Sequence, residues 1–340
     1  MRNRKIGVVT GLLGLLGSWG CDTGTQRAER QVEQRQPAVN MNVPDFNADS
    51  AYQFVARQVA FGPRVPNTAA HRATGDWLIR TLEGYGAQVQ VQAFRAQAFN
   101  GQMLDLRNII ASYNPQATRR VLLAAHWDTR PFADKDDENP NRPIDGANDG
   151  ASGVGVLLEI ARQLGQAGNA GPAVGVDLIL FDGEDFGQPD NSSVPSKEDT
   201  WCLGSQHWSA NKHKANYTAA YGILLDMVGA RGAKFAREEY SRRFANDVVQ
   251  KVWNTANRIG YSDFFVYQDS PGIIDDHYYV NTRTNIRMID IIEFDQTSAD
   301  GYFADYHHTH ADNMDIIDSR TLKAVGQTVL HVVFQEGQAI

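Results

Sequence analysis

Val121-Leu122-Leu123-Ala124-Ala125-His126-Trp127-Asp128 reads as five apolar residues running straight into an imidazole and a carboxylate. An apolar run of that length, with no polar alternation, suits a strand buried on both faces of a parallel sheet. The pattern recurs. The run 176–181 leads to Glu184-Asp185, and Ile223-Leu224-Leu225 leads to Asp226. Two further islands, Asn148-Asp149-Gly150-Ala151-Ser152-Gly153 and His308-Thr309, carry the same residue types. Open α/β sheets bind ligands at the carboxyl ends of their strands. Imidazole and carboxylate without thiolate suit zinc in a catalytic site that keeps an open position.

Helical stretches separate the strands. Residues 51–59 and 71–82 have helical spacing, and Gly84 and Gly86 end the second. Residues 89–94 alternate as a half-buried strand, and 106–111 offer it a partner. Helices are expected over 153–164, 244–259 and 322–334, with a further strand over 285–292. The order predicts an α/β three-layer sandwich with a mixed, mainly parallel central sheet.

The beginning of the chain reads as a targeting segment. Arg2, Arg4 and Lys5 precede a short apolar stretch, and Ser18-Trp19-Gly20-Cys21 follows. This resembles a bacterial lipoprotein signal over residues 1–20, with Cys21 as the lipidated residue. The expected location is the cell envelope, lipid-anchored, and periplasmic or outer-membrane associated in a Gram-negative cell. Serine at position 18 stands where such signals usually carry leucine. Residues 21–42 are polar, without apolar period, and read as a tether. Residues 43–340 then form one catalytic domain. Cys202 is the only other cysteine, so an acylated Cys21 leaves no disulfide. A net charge of −8 argues against a nucleic-acid partner.

The islands leave choices open. Asp149, in a Gly-rich turn before a helix, is either a metal ligand or a helix N-cap. Glu184 and Asp185 are neighbours whose side chains point apart, so one can face a metal and the other a substrate proton; a solvated acidic loop is the plainer alternative. Burial after an apolar strand and a neighbouring like charge favour Glu184 as a general base. Asp226 is a ligand, a catalytic partner or the first solvated residue after its strand. Spacing does not choose among His307, His308 and His310. His207, His213 and His331 are expected on helices without partners, Cys202 is expected to be buried, and 134–138 to be a solvated acidic loop.

From Phe54 onward the ordered motifs resemble the zinc-dependent aminopeptidase-type metallopeptidases, and within them the animal-type glutaminyl-peptide cyclotransferases. The motifs are Phe61-Gly62-Pro63-Arg64-Val65-Pro66 with His71; Asp145-Gly146-Ala147-Asn148-Asp149; 224–230; Asp275-Asp276-His277; and His308-Thr309 with Asp312-Asn313. The resemblance implies one zinc per chain held by Asp149, Asp185 and His308. It implies Glu184 as proton shuttle, with Asp226 and Asp275 in an acidic network beside it. The implied reaction converts the N-terminal glutamine of a peptide or protein to pyroglutamate and releases ammonia. The alternative within the same family is a two-zinc aminopeptidase in which His126 and Asp226 hold a second metal. The sequence departs from the animal cyclases in three ways. Aspartate stands at 185 in place of glutamate, His307 stands in place of a pocket tryptophan, and a cysteine pair is missing.

Overall fold

The computed structural model describes residues 43–189 and 192–336. The signal segment, Cys21 and the tether lie outside the described residues. In chain order, helices α1 (Ala48–Val59) and α2 (Ala69–Gly84) precede strands β1 (Gln88–Gln97), β2 (Met103–Tyr113) and β3 (Arg120–His126). Then come α3 (Ala151–Ala167), β4 (Gly175–Phe181), α4 (Leu203–Ala210), β5 (Tyr221–Asp226) and β6 (Phe235–Arg237). They are followed by α5 (Glu239–Arg258), β7 (Phe265–Asp269), α6 (Asp276–Arg283), β8 (Met288–Ile292) and α7 (Ser319–Gln335).

The main sheet has the order β1-β2-β4-β3-β5-β8. β1, β2 and β4 pair antiparallel, whereas β4, β3, β5 and β8 run parallel. The apolar runs explain the layering. Val121, Leu123 and Ala125 of β3 enter one core with Val176, Leu178, Leu180, Ile223 and Leu225. Leu122 and Ala124 enter the opposite core with Ile179, Phe181 and Leu224. A continuous run therefore serves both faces through the two-residue period of the strand. Residues of α1, α2, α3, α5 and α7 fill the first core; Trp208 of α4 and Val280 of α6 close the second. Burying each such Leu, Val or Ile side chain contributes about 1.5–3 kcal/mol before entropy. The architecture is the expected three-layer α/β sandwich with a mixed, mainly parallel sheet.

Several boundaries differ from the sequence reading. α5 begins at Glu239, before the apolar residues that signal it, because the Glu238 carboxylate accepts the amides of Tyr240 (2.7 Å) and Ser241 (2.5 Å). β8 begins at Met288 and is shorter than expected. The helix expected around His207 is α4, of eight residues, while the eight-residue α6 and the β6–β7 pair are additional elements. Such short elements carry too few turns for a periodic signal.

One close approach sets the site. A Cβ on Gly153 would lie 2.2 Å from the Leu225 carbonyl oxygen. Only glycine lets α3 pack this tightly on the end of β5. That contact brings the turn before α3 against Asp226.

Candidate metal centre

His126 and Asp226 are the last residues of β3 and β5. Asp149 precedes α3, and Glu184-Asp185 follow β4 by three residues. All four islands thus lie at the carboxyl ends of parallel strands, and the loop carrying His308 closes over them. Gly150, between Asp149 and α3, has φ +83°, and a Cβ there would meet the Asp128 carbonyl oxygen at 2.9 Å. The turn therefore requires glycine.

His308 Nε2 faces Asp185 Oδ1 at 3.4 Å and Asp149 Oδ2 at 3.7 Å. On the other side of Asp149, His126 Nε2 lies 2.9 Å from its Oδ1 and 3.3 Å from Asp226 Oδ1. His307 Nε2 is 4.0 Å from Asp149 Oδ2. Asp149 is thus the hinge between two donor groups, one with His307 and His308, the other with His126 and Asp226.

Two buried aspartates hold the carboxylate-bearing turns by their backbone. The Asp312 carboxylate accepts the amides of Asn148 (2.7 Å) and Asp149 (3.0 Å). The Asp128 carboxylate accepts those of Glu184 (3.1 Å) and Asp185 (3.2 Å). Arg130 donates to the Asp185 carbonyl at 2.9 Å and to Asp134. Its guanidinium lies 4.4 Å from the Trp201 ring centre, and Trp201 stacks in turn on His308.

Glu184 lies on the wall of a cavity of about 900 Å³, with Asp226, Asp275, Trp201, Phe303 and His307 also on the wall. The Cys202 thiol reaches Glu184 Oε1 at 3.3 Å and lies 4.0 Å from Asp275 Oδ1. Burial pushes the Glu184 carboxyl well above its usual range; Asp185, Asp275 and Asp276 add to this, and His126 opposes it. Burial likewise raises Asp226 to about 7, with His126 opposing it and Asp275 and Asp149 adding to it. Burial, then Arg130 and Lys135, hold His308 well below the ordinary imidazole value. A neutral imidazole is the form a metal binds.

Both carboxylate oxygens of Asp185, buried at the site, have no hydrogen-bond partner. Unpartnered buried carboxylate oxygens are costly unless a cation or proton meets them. With His308 Nε2 facing one of them and Asp149 alongside, the donor set fits a divalent ion with nitrogen and oxygen ligands, as zinc accepts.

The structure resolves several alternatives left by the sequence. Asp149 does not cap α3: the cap residue is Gly150, without a side-chain bond. Glu184 and Asp185 do not sit in a solvated acidic loop; Asp185 is buried. The run 134–138 is not simply solvated, since Asp134 pairs with Arg130 and faces His308 Nδ1 at 3.5 Å. His207, on α4, stacks on Phe94. His213 lies outside any helix and accepts from Trp208 Nε1 at 3.0 Å. Cys202 is buried as expected. His71 pairs with Asp182 at 2.8 Å and stacks on Trp127, which places the opening motif behind β3. Asp128 ends the first island and Asp312 belongs to the last motif, but their supporting roles, and those of Arg130 and Asp134 toward Asp185 and His308, depend on partners far away in sequence.

Residues 108–333 match peptidase family M28. A bovine (Bos taurus) glutaminyl-peptide cyclotransferase-like protein is 31% identical over 51% of this chain and 45% of its own length. The chain thus spans about half the length of the curated relatives it matches. The crystal structure of a Zn-dependent exopeptidase from Parabacteroides distasonis is 52% identical, covers 86% of this chain and 100% of its own, and superposes with a TM-score of 0.84. Tannerella forsythia glutaminyl cyclase is 49% identical with the same coverage and a TM-score of 0.83. With the carboxylate and histidine islands brought to one end of the expected sheet, the chain belongs to peptidase family M28.

Proposed function

We propose that this chain is a zinc-dependent glutaminyl-peptide cyclotransferase, acting on peptides or proteins with an N-terminal glutamine. The observation that carries the reading is Glu184. It stands on the cavity wall with its carboxyl pushed up, beside Asp185 and across from Asp275. Asp149, Asp185 and His308 are the proposed ligands of one zinc ion per chain. When bound, the ion would act as a Lewis acid toward the γ-carbonyl of the substrate glutamine.

The chain's own residues account for the rest. The cavity holds the glutamine so that its α-amine and its side-chain amide carbon, Cδ, approach within one residue, and the ring closure is intramolecular. Glu184 takes the proton released as the amine nitrogen bonds to Cδ. It returns that proton to the amide nitrogen, Nε2, as the Cδ–Nε2 bond breaks, and ammonia leaves. Asp226 and Asp275, both close to Glu184 or His126, keep the wall acidic so that a proton is available there. His126, between Asp149, Asp226 and Asp128, supplies positive charge if protonated; burial opposes this, but the three carboxylates hold its pKa well above the ordinary value. The second reading, a two-zinc aminopeptidase, draws on the His126, Asp149 and Asp226 donor group. Anchoring to the bacterial cell envelope through a lipidated Cys21 is part of the proposal.

Asp149→Ala and His308→Ala are expected to lose zinc and turnover together, with zinc read by metal analysis, while His310→Ala keeps the metal. A metal-free His310→Ala protein would place the ligand at the wrong histidine. Glu184→Gln keeps size but accepts no proton at neutral pH. It is expected to slow ammonia release from a Gln-peptide by about 10² to 10⁴, the usual contribution of a general acid–base group, with zinc content unchanged. Near-full activity, or loss of zinc, would reverse the roles of Glu184 and Asp185. Cys21→Ser is expected to move the protein from the membrane to the soluble fraction at unchanged specific activity. Detergent-independent solubility of the unmutated protein would refute the anchor.

A further inference from the structure

The acidic run at 134–138 meets the histidine segment 307–310 residue by residue. Asp134 Oδ1 faces His308 Nδ1 at 3.5 Å, on the ring edge opposite the nitrogen that faces Asp149 and Asp185. The Lys135 amide donates to the His308 carbonyl at 3.3 Å. Lys135 Nζ lies 2.9 Å from His307 Nδ1 and 2.7 Å from Asp300 Oδ2. Asp136 Oδ2 accepts the His310 amide at 3.1 Å and faces His310 Nδ1 at 2.9 Å. Its other oxygen accepts the amides of Glu138 (2.9 Å) and Asn139 (3.0 Å), which fixes the turn.

His308 itself has φ +59°. A residue other than glycine is strained in the left-handed region and persists there where its surroundings hold it. The contacts from 134–136 grip the chain at 307, 308 and 310, on both sides of the strained residue.

We infer that Asp134-Lys135-Asp136 is a positioning clamp that holds His308 in the left-handed conformation presenting its Nε2 to Asp149 and Asp185. Asp134 serves as the carboxylate behind the imidazole. Such a partner orients the ring and selects the tautomer with its proton on Nδ1, leaving Nε2 free to ligate. Arg130 couples this carboxylate to the other side of the site, since it donates both to Asp134 and to the Asp185 carbonyl. Asp136 sets the path of the chain two residues beyond the ligand without touching the site. The inference rests on His308 being a zinc ligand, as proposed above.

The test is the zinc affinity of the full chain, measured by chelator competition, together with the melting temperature of each metal-free protein. Asp134→Asn is expected to loosen zinc by about 10- to 100-fold, the usual effect of removing a carboxylate behind a metal-bound histidine. Because Asp134 also pairs with the fully buried Arg130, Asp136→Ala provides the independent variant. It is expected to loosen zinc by about tenfold, at the lower end of that range, with metal-free melting unchanged. Asp136→Asn keeps one oxygen, which can accept either the His310 amide or those of Glu138 and Asn139, and is expected to restore part of the affinity. Parent affinity in both Asp134→Asn and Asp136→Ala, beside a His308→Ala protein that has lost zinc, would overturn the clamp alone. Parent affinity in His308→Ala would overturn the ligand reading and the clamp with it.

Discussion

Everything at the end of this sheet is arranged around a crowd of carboxylates removed from water. Asp128, Asp149, Asp185, Asp275, Asp276, Asp290 and Asp312 are all buried. Two like charges about 4 Å apart repel by about 4 kcal/mol at an effective dielectric of 20. The fold therefore needs compensation there. Part of it is internal: Asp128 and Asp312 accept backbone amides from the very turns that carry Asp185 and Asp149. Arg130 supplies fixed positive charge beside Asp185, at 3.6 Å from its Oδ1. What still lacks a hydrogen-bond donor, above all the two oxygens of Asp185, is the part that a divalent ion fits.

The same constraint separates the two adjacent carboxylates into different tasks. Asp185 turns inward, toward His308 and Arg130. Glu184 turns to the cavity, beside Cys202 and Asp275. A thiol held against Glu184 by burial and negative neighbours stays protonated, so it acts as a donor to that carboxylate. His307, where the animal enzymes resembled here carry a tryptophan, meets the ammonium of Lys135 at its Nδ1. An ammonium donates and cannot accept, so Nδ1 is the acceptor and the ring proton sits on Nε2. Burial holds His307 well below the ordinary imidazole value, in keeping with a neutral ring. The His307 Nε2 edge thus faces Asp149, 4.0 Å from its Oδ2.

The central strands were legible because both their faces are buried. The run 121–125 has no polar residue, and 176–181 has only Asp177, which is buried against Arg120. α6 and the β6–β7 pair were not, since their length and weak patterning depend on tertiary packing. For the site, the islands at strand ends marked His126, Asp149, Glu184, Asp185 and Asp226, and the chain brings them together. Choosing His308 among three nearby histidines needed the resemblance to a family. Asp312 entered only through the resemblance and Asp134 only as part of an acidic run, because the contacts that give them their roles, Asp312–Asp149 and Asp134–His308, join residues 163 or more apart in sequence. An acidic run in a loop looks the same whether its carboxylates face water or a buried imidazole.

The central claim is a single zinc serving intramolecular ring closure. Metal analysis of active purified protein, with parallel assays on a Gln-peptide and an aminoacyl-anilide, tests it most directly. The account predicts one zinc per chain, ammonia released from the Gln-peptide and no hydrolysis of the anilide. Two zincs per chain with anilide hydrolysis, and loss of one zinc and of that activity in His126→Ala, would contradict it.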